Sequence, residues 1–171
     1  QYVIMGELSL DGKLRPIKGA LPIAIQARKE KFKGFILPKE NAREAAIVND
    51  LAIYGAESLS EVVDFLRGDH TITPTEVNTR EEFQEHAAYF SEDFSDVRGQ
   101  QNIKRALEIA AAGGHNVILV GPPGAGKTML AKRVPTILPA LTADESIETT
   151  RIYSAMGRLG PGQPLLARRP F

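Results

Sequence analysis

The chain has 171 residues, room for one ordinary domain or two small ones. Lysine plus arginine number 21 and aspartate plus glutamate 21, so the formal net charge is zero and a chain-wide polyanion-binding surface is unsupported. The absence of cysteine excludes disulfides, thiolate metal sites and cysteine nucleophiles. Hydrophobic residues at 43% and charged residues at 25% are ordinary for a globular protein. Apolar runs such as Asn116–Val120 fall far short of the roughly 18 to 20 residues of a membrane span, and no secretory signal is visible. A cytoplasmic protein is expected, with no membrane partner. Gln1 opens directly on the strand-like Tyr2-Val3-Ile4-Met5, and Arg168-Arg169-Pro170-Phe171 closes no element, the pattern of an internal piece of a longer polypeptide.

Residues 1–67 read as alternating strands and helices. Leu8 and Leu10 alternate with polar neighbours, Asp11-Gly12 supplies a tight turn, and Leu14 resumes the pattern, a hairpin signal. Pro22 suits the first turn of a helix carrying Ile23, Ala24 and Ala27, with Arg28, Lys29, Glu30 and Lys31 at its end. Phe35-Ile36-Leu37 predicts a short buried strand stopped by Pro38. Asn41 is the expected N-cap of a helix with Ala45, Ala46 and Val48 on one face, and Leu51–Tyr54 predicts another strand. Ser58 caps a last helix whose stripe is Leu59, Val62, Val63 and Leu66. Together they predict a small α/β domain.

Residues 68–93 carry seven acidic residues (Asp69, Glu76, Glu81, Glu82, Glu85, Glu92, Asp93) against Arg80 alone. With sparse apolar residues and Pro74, they predict a solvated linker containing a short helix near 80–88. His70 and His86 lack a second ligand at metal spacing and are expected to be exposed bystanders.

Residues 94–171 open with Asp96-Val97-Arg98-Gly99-Gln100. A helix follows with Ile103, Ala106, Leu107, Ile109 and Ala110 on its apolar side, ended by Gly113-Gly114. His115 then leads into an expected strand, Asn116–Val120, and is read as structural. Immediately afterwards comes Gly121-Pro122-Pro123-Gly124-Ala125-Gly126-Lys127-Thr128, which satisfies G-x-x-x-x-G-K-[ST], the phosphate-binding loop. Glycines let backbone N–H groups curl around an anion, and the helix beginning near Lys127 adds its positive end. Lys127 supplies a mobile charge for β- and γ-phosphate oxygens, and the Thr128 hydroxyl is suited to Mg²⁺. The competing reading, a glycine-rich turn that binds nothing, does not account for the strand–loop–helix context. A nucleoside triphosphate, taken as ATP with Mg²⁺, is the expected ligand of Gly121 through Thr128, with Thr128 the metal ligand.

Hydrolysis by this class also needs a strand-end acid, a polar sensor and an arginine finger. Beyond Thr128 the acids are Asp144, Glu145 and Glu148, all in a helix-like stretch from Thr142 to Tyr153. The segment is thus expected to bind nucleotide without splitting it. Arg151, Arg158, Arg168 and Arg169 form a basic tail that could meet phosphates, a neighbouring subunit or only solvent. Gly157 and Gly160-Pro161-Gly162 read as hairpin turns, and the chain is expected to be poorly ordered after about residue 140 for want of sheet partners.

Asp96–Gln100, Ala111-Ala112-Gly113-Gly114-His115-Asn116 and Gly121–Thr128 together resemble the magnesium-chelatase-like branch of AAA+ ATPases. Gly6-Glu7-Leu8-Ser9-Leu10-Asp11-Gly12 with Leu14-Arg15-Pro16-Ile17 is similar to the N-terminal domain of its YifB/ComM group. The resemblance implies a Lon-protease-like α/β domain over residues 1–67, incomplete at its start, the linker 68–93, and the first part of a P-loop AAA+ α/β domain over 94–171. It implies Val97 beside the adenine, a hexameric ring, and a DNA-processing motor acting in branch migration during transformation. Walker B acid, sensor and arginine finger would lie past Phe171. Protease chemistry is not implied: aligned on Pro16-Ile17-Lys18-Gly19-Ala20, the place of Lon's lysine is Leu21, and the serine would fall before Gln1. Two alternatives stay open, an ATPase subunit driving magnesium insertion into a porphyrin and a non-catalytic binding module.

Overall fold

A computed structural model describes residues 1–87, 92–160 and 162–170, with the side chains of 84–87 left out. Its centre is a parallel three-stranded sheet in the order β1 (Tyr2–Ile4), β4 (Gly34–Pro38), β5 (Ala52–Ala56). β2 (Glu7–Leu8) and β3 (Leu14–Arg15) form a separate antiparallel pair joined through the Asp11-Gly12 turn, where Gly12 has φ 81°. β4 lies in the middle and is buried along its whole length, which is why it reads as an uninterrupted apolar run. Its side chains alternate between faces. Phe35 and Leu37 pack with α1 (Ala20–Lys29) and the α2 region (Lys39–Ala45), while Ile36 packs with Val62 of α3 (Leu59–Arg67). Fully burying side chains of this size stabilises the fold by roughly 1.5 to 3 kcal/mol each. The expected α/β architecture is therefore present.

Local signals account for several boundaries. Pro22 stands in the first turn of α1, and Ser58 caps α3 by accepting from the Glu61 N–H. Gly68, with φ 87°, stops α3. Of the α3 stripe only Val62 is fully buried, whereas Leu59 and Leu66 stay exposed. Asn41 is not an N-cap. Pro38 precedes α2, and the buried Asn41 carboxamide instead accepts from the Ile17 N–H and donates to the Ile17 carbonyl, each at 2.9 Å. The residue is spent on tying the loop before α1 to α2.

The acidic stretch is more than a solvated linker. α4 (Thr79–Ala87) supplies the expected helix. Ahead of it Ile72 is buried against Ile36, and the Thr75 N–H donates to the Ile53 carbonyl at 2.7 Å. Val77 and Phe83 pack onto the main core, and Arg43 pairs with Glu82. The few apolar residues were enough to lay this strap on the sheet domain. His70 is exposed. The His86 side chain lies outside the described residues.

α5 (Gln101–Gly113), α6 (Lys127–Arg133) and α7 (Ala143–Ala155) follow. The stretch past residue 140 is built, not loose. Thr142 and Glu145 form a capping box, α7 packs along α1, and its Ser146, Thr150 and Ser154 are fully buried. The small side chains permit close approach, and each hydroxyl has a partner: Ser146 donates to the Leu166 carbonyl at 2.6 Å, Thr150 to the Ser146 carbonyl, Ser154 to Glu44. Ile147 and Leu165 join the main core. Gly157, φ 64°, ends α7 and is no hairpin turn, its N–H donating to the Ser154 carbonyl. Gly160 accepts from the Gln163 N–H in a turn that joins no strands among the described residues; Pro161 lies outside them.

Candidate functional site

Residues 94–137 form a second, smaller core. Phe94, Val97, Leu107 of α5 and Leu130 of α6 are its buried members, with Leu119, Val134 and Ile137 against it. Asn116–Val120 carries no strand assignment. Leu119 turns inward against the small core, while Val117, Ile118 and Val120 are exposed. A ladder needs a neighbour, and among the described residues none pairs here. His115 folds back over Gly113, and a Cβ on that glycine would collide with the His115 ring. With Leu107, Val117 and Arg169, His115 lines a cavity of about 580 Å³.

The loop Gly121 through Thr128 joins this stretch to α6 and is open to solvent. Gly121, Pro122, Pro123, Gly124, Ala125 and Thr128 are exposed, and Gly126 and Lys127 half-buried. Gly124 (φ 80°) and Gly126 (φ 78°) take the left-handed conformation that side-chain-bearing residues avoid, and both are needed to bend the backbone. The Ala125 N–H closes an inner turn on the Pro122 carbonyl at 3.3 Å. Lys127 then folds back, its Nζ donating to the Gly121 carbonyl at 2.8 Å and the Pro122 carbonyl at 2.7 Å. This draws the loop's first residues onto its last and holds a full positive charge inside the curl.

α6 starts at Lys127 with Gly126 as its N-cap. Glycine has no side chain with which to accept from the first-turn N–H groups, so these donors stay open beside the ammonium. Thr128 sits in that first turn with an exposed side chain. Donors, charge and hydroxyl thus converge on one end of α6, and the set fits a polyphosphate with a hard cation.

A second segment borders the loop. Val97 is 3% exposed and packs in the core with Leu130, so its side chain braces the site from beneath. Gly99 (φ 68°) and Gln100 (φ 52°) turn the chain next to it, and the Gln100 amide nitrogen stands 3.7 Å from where a Cβ on Gly126 would be. Upstream, Asp93 and Asp96 form a capping box around a 3₁₀ turn. The hydroxyl and backbone N–H of Ser95 hold the Asp93 carboxyl below its usual value. Arg133, at the end of α6, donates to the Asp93 carbonyl at 3.1 Å. Sequence reading gave Arg133 no role, because its partner lies 40 positions away.

The acids after Thr128 are placed on α7, away from any strand end. Glu145 serves the Thr142 cap and pairs with Arg169 at 3.4 Å. Arg169 also donates to the Pro139 carbonyl at 3.0 Å. Arg151 and Arg158 are exposed. Among the described residues no helix is long and apolar enough to cross a membrane, and no cluster of three or more His, Asp or Glu could hold a metal ion.

Residues 93–171 match the family model described as magnesium chelatase, subunit ChlI, and residues 1–41 match the model described as subunit ChlI of Mg-chelatase. The chain is 42% identical over 154 residues to the competence protein ComM of Haemophilus influenzae, covering 90% of this chain and 30% of that protein. It is 41% identical over 174 residues to the uncharacterized protein YifB of Escherichia coli, covering 100% of this chain and 32% of that one. An uncharacterized protein of Mycobacterium tuberculosis is 41% identical over 169 residues, covering 99% and 33%. The chain thus spans about a third of the length of the relatives it matches. With relatives of both names aligned over 90% or more of this chain and the ChlI models matching residues 1–41 and 93–171, the chain is similar along nearly its whole length to the YifB/ComM, magnesium-chelatase-like family.

Proposed function

We propose that this chain is the nucleotide-binding part of an ATP-driven motor of the AAA+ class. The observation that carries the proposal is the Lys127 ammonium held inside the Gly121–Thr128 curl at the uncapped start of α6. ATP would lie with its phosphates in that loop, met by backbone N–H groups and Lys127, and Thr128 would be the protein's ligand to Mg²⁺. The Asp96–Gln100 turn would border the base, with Val97 acting from below. Bound Mg²⁺ would neutralise phosphate charge; this chain's own residues hold and orient the triphosphate. The groups that split it would come from elsewhere in a longer polypeptide or from a neighbouring copy in a ring. Residues 1–67 would serve as a docking or structural domain, 68–93 as a connecting strap, and 94–171 as the start of the motor domain. The cytoplasm is the proposed location.

DNA is the proposed partner of the whole protein. The name of the Haemophilus relative, a competence protein, favours it. Magnesium insertion into a porphyrin is the second reading, favoured by the names of the family models. Against it, the whole chain aligns with a relative named otherwise, the YifB protein of Escherichia coli. ATP hydrolysis by the longer parent protein separates the readings. Stimulation by DNA supports the motor; stimulation by a porphyrin with metal insertion, and indifference to DNA, supports the second.

A further inference from the structure

The Arg133 side chain is only 15% exposed, and its guanidinium sits where α6 meets the segment leading to the Gly99–Gln100 turn. Its Nε–H donates to the Asp93 carbonyl at 3.1 Å and lies 3.8 Å from the Asp96 carboxylate. Its Nη1 donates to the Met129 carbonyl of its own helix at 3.2 Å and stands 3.3 Å from the Glu92 carboxylate. Beside it the Phe94 N–H donates to the Thr136 hydroxyl at 3.1 Å, and that hydroxyl donates to the Arg133 carbonyl at 2.8 Å. Phe94 and Val97 then pack on Leu130. One end of α6 therefore carries Lys127 and Thr128, and the other grips the chain that returns to the loop at Gln100.

From this geometry we infer that Arg133 is a positioning residue for the nucleotide site, holding the Val97–Gln100 turn in register with the phosphate loop. The inference rests on the phosphate-loop reading above. A triphosphate in the loop must project its nucleoside outward, and the turn that touches Gly126 is the wall beside the loop. Only the planar fork of arginine can satisfy the Asp93 and Met129 carbonyls together while lying between two carboxylates. Without it the Asp93 carbonyl keeps only the Asp96 N–H at 3.1 Å and the two acids lose their compensating charge, so the wall loosens while the loop's own hydrogen bonds remain.

The test compares two ligands on the intact chain by calorimetry with Mg²⁺: ATP, which uses loop and wall, and inorganic tripolyphosphate, which uses the loop alone. Arg133→Ala should weaken ATP about tenfold, the equivalent of one charge-assisted hydrogen bond, and leave tripolyphosphate within about twofold. Arg133→Lys keeps the charge without the fork and should show the same split at smaller size, which answers the question if the alanine variant does not fold. Equal loss of both ligands would make Arg133 a mere support of α6 and overturn the inference alone, as would unchanged ATP affinity in both variants. A wild-type chain that binds neither ligand overturns the phosphate-loop reading, and the inference with it.

Discussion

The carboxylate of Glu44 accepts the hydroxyl hydrogen of Ser154, 110 positions downstream. The same carboxylate accepts from the Leu21 N–H at 3.0 Å and, through its other oxygen, from the Asn41 amide at 3.4 Å. The Gly19 N–H closes the junction on the Ser154 carbonyl at 3.0 Å. A group that only accepts is thus matched to three donors from the starts of α1 and α2 and the end of α7. Glu44→Ala leaves those donors without their acceptor and should lower unfolding free energy by about 2 to 4 kcal/mol. Glu44→Gln, which keeps one acceptor oxygen, should fall between the two. Denaturant melts giving a loss below about 0.5 kcal/mol for the alanine variant would show that water replaces the carboxylate at no cost.

Because Ser146, Thr150 and Ser154 are buried and α7 packs on α1, their backbone amides should exchange slowly, on the timescale of the α1 core amides. Hydrogen exchange read by mass spectrometry or NMR checks this. Fast exchange across 146–154 with slow exchange in α1 would mean that α7 opens independently.

Gly34 begins the central strand, and a Cβ there would meet the Ala52 carbonyl oxygen at 2.8 Å and the Tyr54 ring at 2.9 Å. The first is backbone of the neighbouring strand and cannot swing aside. Gly34→Ala should therefore cost about 1 to 3 kcal/mol in spite of the entropy that alanine saves in the unfolded chain. A melting temperature at or above that of the wild type would contradict the packing described for β4 and β5.

Acid should destabilise the chain through carboxyls whose affinity for protons is lower folded than unfolded. The Thr142 backbone N–H, with Arg169 adding to it, holds the Glu145 carboxyl below its usual range; Ser95 does so for Asp93, and Lys39 for Glu57. Since the folded values are the lower ones, this stability is fully present above the ordinary glutamate value of about 4.3 and is lost as the pH falls below it. Melting temperature followed from pH 7 downward should hold until about pH 5 and then drop, and Glu145→Gln should flatten that acid limb. Superimposable acid limbs for wild type and variant would show that the Thr142 cap adds nothing in solution.

What could be read from the sequence was local. Ser58 and Asp11-Gly12 act within a few residues of themselves, and so does the run Gly121–Thr128, whose glycines and lysine meet one another in the folded loop. Asn41, Glu44 and Arg133 act across 24, 110 and 40 positions, and nothing near them announces their partners. Asn41 misled because an asparagine before an alanine-rich stretch serves a cap as readily as a distant clamp. Ile72, Val77 and Phe83 looked too sparse to matter, yet three apolar side chains at the right places dock a strap. Asn116–Val120 has the apolar run of a strand, but pairing depends on a neighbour that composition does not reveal.

The loop itself is the account's centre, and calorimetric titration of Mg·ATP into wild-type chain and Lys127→Ala tests it most directly. The account predicts a saturable exothermic or endothermic isotherm for the wild type, none for the variant at the same concentrations, and matching melting curves for the two. Equal affinity in both chains would contradict it.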